Sequence, residues 1–162
     1  MPHVRQIIRK AVVARLQSQL TLVAPEKVFS ARPVPPAPNE GRVVNVFTPG
    51  DNAASDERGR ARPEMRSVNV NILVYVREGE HADDEADEVC VEIERALCWT
   101  DASRADLLEA CRVVHPSLQG LRYLGSQLDI EQGTKQHAAY QCAFLATAYT
   151  LPGAPDAPLN AS

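Results

Sequence analysis

No apolar run in this chain approaches the roughly 20 residues needed to cross a bilayer, which excludes a membrane-spanning helix. An excess of basic charge is lacking too: the formal net charge is -4, so the surface as a whole is not committed to nucleic-acid backbone. A local basic patch stays open. The four cysteines, Cys90, Cys98, Cys111 and Cys142, contain no C-x-x-C pair, and no histidine stands at zinc-finger spacing from them. Cys90 and Cys142 fall on apolar faces and read as small buried hydrophobes. There is no G-x-S-x-G turn, and His3, His81, His115 and His137 have no serine or cysteine signature around them, so nucleophilic catalysis has no carrier. The stretch GLRYLG at 120–125 lacks the Lys-Ser/Thr pair of a phosphate loop. His115, before a proline, and His137, at the start of a strand, read as surface or packing residues, and the lone Trp99 reads as a core or edge plug. The chain is read as a protein without enzymatic activity, cofactor or metal.

What is present is ordinary globular material, 44% hydrophobic and 23% charged over 162 residues, enough for one domain with a real core. That domain is expected over 1–151. Residues 1–20 mix Arg5, Arg9, Lys10 and Arg15 with apolar residues and lack both an unbroken apolar run and a small-residue cleavage site, so they read as a folded helix made in the cytoplasm. Val4, Ile8, Val12, Leu16 and Leu20 stand four apart, the spacing of one buried helical face over 3–21. A short β-like piece at 27–31 precedes RPVPPAPNEG, whose prolines forbid helix and ladder alike and mark an extended surface connection. A second strand is expected at 43–47. Residues 50–65, GDNAASDERGRARPEM, have no apolar period and read as a long mobile loop or hairpin arm spanning 50–66. Loops of this length are uncommon unless they bind something or stay disordered, which makes Asp51, Asp56, Glu57, Arg58, Arg60, Arg62 and Arg66 the leading interaction candidates.

From 68 to 76 the alternation is strict, with Val68, Val70, Ile72, Val74 and Val76 on one side, and it predicts a central antiparallel strand. A helix is expected over 83–98 with Ala86, Val89, Cys90, Ile93 and Leu97 on one face. A short third helix is expected near 106–113. Two alternating runs, 121–131 and 136–150, flank E-Q-G-T-K and read as a hairpin. Residues 152–162, rich in proline and without period, are expected to be disordered. The order predicts an α+β fold: one mostly antiparallel sheet with two main helices packed on one face and a long polar arm between strands.

The acids from Glu78 to Glu92 crowd the start of the second helix, where unpaired backbone N–H groups and the helix dipole favour carboxylates, with Asp83 or Asp84 as the expected N-cap. Asp84, Glu85, Glu88 and Glu92 then form a solvated face. A metal reading would use His81 with Asp83, Asp84 or Glu85, but no second histidine or remote acid completes a shell. An acidic surface meeting a basic partner is the other reading. The basic face of the first helix, Arg5, Arg9, Lys10 and Arg15, offers such a partner within a subunit or between subunits.

Taken together, the helix IIRKAVVARLQSQL, the segment VFSARPVPPAPNEGRVVNVFTPGD with its F-x-x-R-P, the arm, the strand SVNVNILVYV followed by EGEHADDEAD, and the pair LGSQLDIEQGTKQHAAYQCAFLATAYT resemble the tail terminator family of long-tailed bacteriophages across residues 3–151. The resemblance implies a structural protein without catalytic activity. It implies a hexameric ring at the head-proximal end of the tail tube, stopping tube polymerisation and presenting a surface for head attachment. Its implied partners are further copies of itself, the tail tube protein and a neck protein, with no membrane and no sequence-specific nucleic acid; DNA would pass through the ring lumen. Its implied location is the virion tail, after assembly in the bacterial cytoplasm. Another ring-forming head–tail junction component is the nearer alternative, and a cytosolic metal-binding enzyme the more distant one.

Overall fold

A computed structural model of the chain describes residues 2–37, 39–54, 63–77, 81–98, 107–129 and 137–159. Helix α1 spans Val4–Gln19 and is capped by His3, whose Nδ1 accepts the backbone N–H of Arg5 at 3.2 Å. Val4, Ile8, Val12 and Leu16 are buried along it, as the four-residue spacing predicts. Valine and isoleucine are modest helix formers, so burial of this stripe, at about 1.5–3 kcal/mol per fully buried aliphatic side chain, stabilises the helix more than propensity does.

The strands β1 (Val28–Ser30), β2 (Val43–Phe47), β3 (Asp51–Ala54), β4 (Glu64–Arg77), β5 (Leu118–Asp129), β6 (His137–Leu151) and β7 (Ala154–Pro158) form one sheet. Its path is β1-β2-β4-β6-β5, with β3 on β4 and β7 on β6. Among the described residues only the β1–β2 pair is parallel. The spine is the antiparallel β4–β6 ladder, in register from Glu64↔Thr150 to Arg77↔His137. β2 and β3 lie in tandem along one side of β4, so both ends of the arm expected over 50–66 are paired strand, 51–54 in β3 and 64–66 in β4.

Helix α2 (Ala82–Cys98) buries Ala86, Val89, Cys90, Ile93 and Leu97, the stripe that its period predicts. With α1 it covers one face of the sheet, where Val68, Val70, Ile72, Val74 and Val76 meet Cys142, Phe144, Ala146 and Ala148 in a single core. Phe144 tilts against Tyr123 of β5, ring centroids 5.2 Å apart. Helix α3 (Leu107–Val114) packs beside β5. The opposite sheet face, with Asn69, Asn71, Leu73, Gln141, Ala143 and Leu145, is half-buried. The α+β architecture with two main helices on one face is therefore as expected.

Three details differ from the sequence reading. The carbonyl of His81 accepts the N–H of Glu85 at 3.0 Å, so α2 is already under way at Ala82 and both Asp83 and Asp84 lie in its first turn instead of capping it. The tail, expected to be disordered from 152, carries β7, whose Ala154 and Pro158 pair with Leu151 and Thr150. Proline is tolerated there because β7 is an edge strand, where an N–H missing from the outer side breaks no ladder. The proline-rich connection is closed rather than merely extended. Arg32 donates to both oxygens of Glu40 at 3.0 Å, and Asn45 of β2 exchanges hydrogen bonds with the backbone N–H and C=O of Arg32 at 2.9 and 2.8 Å. The E-Q-G-T-K turn expected around Gly133, and Trp99, lie outside the described residues.

Candidate assembly interface

The base of the arm is a charged network. Arg66 on β4 donates to Asp51 of β3 at 2.9 Å, to Glu64 at 3.2 Å and to the hydroxyl of Thr150 on β6 at 2.8 Å. Arg5 of α1 faces the second oxygen of Asp51 at 3.4 Å. One guanidinium thus ties three strands together, and the first helix reaches the same carboxylate. Arg66 and Asp51, both expected on the arm, are brought together and held at its root. Asp56, Glu57, Arg58, Arg60 and Arg62 lie outside the described residues.

The basic face of α1 is mostly spent within the subunit. Arg9 donates to the hydroxyls of Ser30 and Thr48, both at 3.0 Å, and so ties the ends of β1 and β2 to the helix. Arg15 donates to the carbonyl of Ala96 at 3.0 Å, in the last turn of α2, where carbonyls lack helical partners and the dipole favours a cation. Lys10 stays exposed.

On the acidic side, Glu85 pairs with Arg42 at 3.2 Å, just before β2. Glu92 accepts from the backbone N–H of Thr21 at 3.0 Å, from that of Leu22 at 3.1 Å, and from the Thr21 hydroxyl. Burial pushes this carboxyl up, but the three hydrogen bonds outweigh it and hold Glu92 below the ordinary carboxylate value. It fastens the chain after α1 to the flank of α2, a role that the solvated-face reading of the acidic stretch does not contain. Asp83, exposed on α2, accepts the hydroxyl of buried Tyr140. Burial first, then that bond to a carboxylate, pushes the Tyr140 phenol up to about 12. Asp84 and Glu88 remain exposed. Among the described residues the ties of the two helices therefore do not join the basic face of one to the acidic face of the other.

The metal reading finds no shell: among the described residues no group of three or more His, Cys, Asp or Glu side chains is placed to hold an ion. Of the three acids that reading offers His81, Asp83 bonds Tyr140 and Glu85 pairs with Arg42, while Asp84 is exposed.

Two surface features were not legible in the sequence. Where β1 ends, Ala31 takes a positive φ of 53° and the chain leaves β2, opening a recess of about 480 Å³ lined by Arg9, Phe47, Pro49, Asn71, Leu73 and Gln141. Glu40, which closes the proline loop, is held at about 2 by its hydrogen bonds to Arg32 first and to the Ala37 N–H second. Its only sequence signal is a carboxylate eight positions after an arginine across a proline run.

No protein-family model matches the chain, and no curated protein matches it. Among solved structures the fold is similar to that of a chain from the virion of a native gene transfer agent particle, with a TM-score of 0.61 and 20% identity, covering 88% of this chain and 94% of that one. At that identity the likeness establishes the fold.

Proposed function

We propose that this chain is a structural, non-enzymatic component of a phage-like virion, and that within the particle it is a tail terminator. In this reading several copies, six by the family resemblance, close into a ring on the head-proximal end of the tail tube. The ring stops polymerisation and offers its other face to a neck protein, with DNA passing through the lumen. The observation that carries the reading is the likeness of nearly the whole fold to a chain of a virion particle. The root of the arm fits it: Arg66, Asp51 and Thr150 fix the facing ends of β3 and β4 there, and the arm between them is the proposed contact with a neighbour or the tube. Heterologous contacts of that kind close into a ring when the rotation between copies permits.

The test is the native mass of the purified protein across concentration and salt, followed by negative-stain imaging with and without tail tubes. A six-fold ring, or a monomer that forms one on tubes, is expected. A protein that stays monomeric in the presence of tubes overturns the reading. The same fold likeness also suits another ring-forming component of the head–tail junction, and binding to portal-filled capsids in preference to tubes would select that alternative.

A further inference from the structure

Cys90 sits on the buried face of α2 and Cys142 on the inward face of β6, and their sulfurs stand 3.0 Å apart, Cys142 Sγ donating to Cys90 Sγ. The fold alone makes this contact, since 52 positions separate the two in sequence. Both are free thiols, and both are buried, Cys142 completely and Cys90 to 9% exposure. A structural buried cysteine is ordinarily inert among apolar neighbours. Here the two sulfurs differ. The bond donated by Cys142 favours the thiolate of Cys90 and lowers its pKa against the opposing effect of burial. Cys142, bonded to Cys90 and buried, is pushed well up and keeps its proton.

We propose that Cys90 and Cys142 form a thiol–disulfide site, in which a small neutral hydroperoxide oxidises the pair to a disulfide that staples helix α2 to the central strand β6. The chemistry balances with the peroxide as oxidant. The Cys90 thiolate attacks one peroxide oxygen, the O–O bond breaks, and the departing hydroxide takes the proton that Cys90 gave up, leaving a sulfenic acid and water. Cys142 Sγ then attacks Cys90 Sγ. The S–S bond forms, the S–O bond breaks, and hydroxide leaves with the Cys142 proton as a second water. Two thiols and one hydrogen peroxide give one disulfide and two waters, with two electrons passing from sulfur to oxygen.

The surroundings select the oxidant. The pair is too enclosed for a bulky disulfide reagent, and the nearby carboxylates of Asp87 and Glu94 oppose negative charge at the sulfurs, which disfavours an anionic one. The closed state belongs to oxidising surroundings and the open state to a reducing cytoplasm. The inference stands apart from the proposed ring.

The full-length protein is treated with hydrogen peroxide, quenched with catalase, denatured in N-ethylmaleimide and mapped by mass spectrometry without reduction. The expected result is a linked peptide pair joining Cys90 to Cys142, with two of the four thiols of this chain lost to alkylation. A higher Tm is expected for the oxidised protein, returned to its starting value by dithiothreitol. A Cys98→Ala/Cys111→Ala variant keeps the link. A Cys142→Ser variant, lacking the resolving sulfur, holds Cys90 as a sulfenic acid that dimedone traps. Four alkylated thiols after oxidation, a link through Cys98 or Cys111, or conversion of Cys90 to sulfinic acid without a link would each overturn the proposal. Because the mapping is made on the natural sequence, a variant that fails to fold does not rescue it.

Discussion

Arg66 and Asp51 meet at 2.9 Å across β3 and β4, each side chain only 14% exposed, at the root of the arm. Ion pairs this enclosed are weak net contributors when intact but costly to halve, because the surviving charge loses its partner without regaining water. Arg66 also holds Thr150 and Glu64, so its removal strands several polar groups at once.

Replacing Arg66 with Met is therefore expected to cost about 2 kcal/mol, read as a lower denaturation midpoint with an unchanged m-value. Asp51→Asn, which keeps shape and some hydrogen bonding, is expected to cost less. Equal losses from both would show that the network is not centred on the guanidinium.

Glu92 joins α2 to the chain leaving α1 through two backbone N–H groups and a hydroxyl. Glu92→Ala leaves those donors to water or to nothing, at an expected cost of about 1–2 kcal/mol. Amide exchange locates the effect: Thr21 and Leu22 lose protection first, while the β4–β6 ladder keeps its own. Uniform loss of protection across the sheet would contradict a local fastening role.

Such a role also shows where sequence reading stops. The stripe Val4, Ile8, Val12, Leu16 and the alternation Val68 to Val76 declare their burial through period alone, because each residue's environment is set by its own helix or strand. Glu92 has its partners 70 and 71 positions away, and Arg66 finds Thr150 across 84, so pattern within a window is blind to both. Cys90 and Cys142 are each legible as buried, yet their meeting depends on how α2 lies over β6. Residues 154–158 carry two prolines and no alternation. They form β7 because β6 extends past its partner β5 and offers an open edge, a property of the neighbour and not of the segment.

Glu40 makes a pH prediction with a definite sign. Its folded-state pKa is depressed from 4.5 to about 2, so its contribution is fully present above pH 4.5 and disappears as pH falls from 4.5 toward 2. The difference in Tm between the natural protein and Glu40→Gln should be largest near neutrality and vanish in acid. Proteolysis within 32–40 should speed up over the same window, since Arg32 loses its bidentate partner there. A difference that is constant with pH would show that the carboxylate charge is not what closes the loop.

At the β5 bulge Gly125 has a φ of +140°, and a Cβ placed there would meet no atom within 4 Å. Gly125→Ala is thus a test of backbone strain without steric clash, with an expected cost of about 1–2 kcal/mol. Because the adjacent Leu124 is 51% exposed, Leu124→Ala should be nearly neutral beside it. A large loss from Leu124→Ala instead would mean that the bulge is held by that side chain.

Asp84 and Glu88 separate folding from assembly. Both are exposed on α2, and in the chain's own fold the described acidic ties of that helix are made by Asp83, Glu85 and Glu92. Exposed charge changes of this kind ordinarily alter stability by about 0.5 kcal/mol or less. Asp84→Lys/Glu88→Lys should therefore leave Tm nearly unchanged. If the acidic face meets a basic face of a neighbour, as the proposed ring allows, the reversal should weaken assembly by tenfold or more (~1.4 kcal/mol), and assembly of the natural protein should weaken as salt rises toward screening concentrations. Sedimentation of both proteins at low and high salt measures this directly. Rings that form equally well with the charges reversed would remove this face from the interface and leave the arm and the outer sheet face as the surfaces that join one copy to the next.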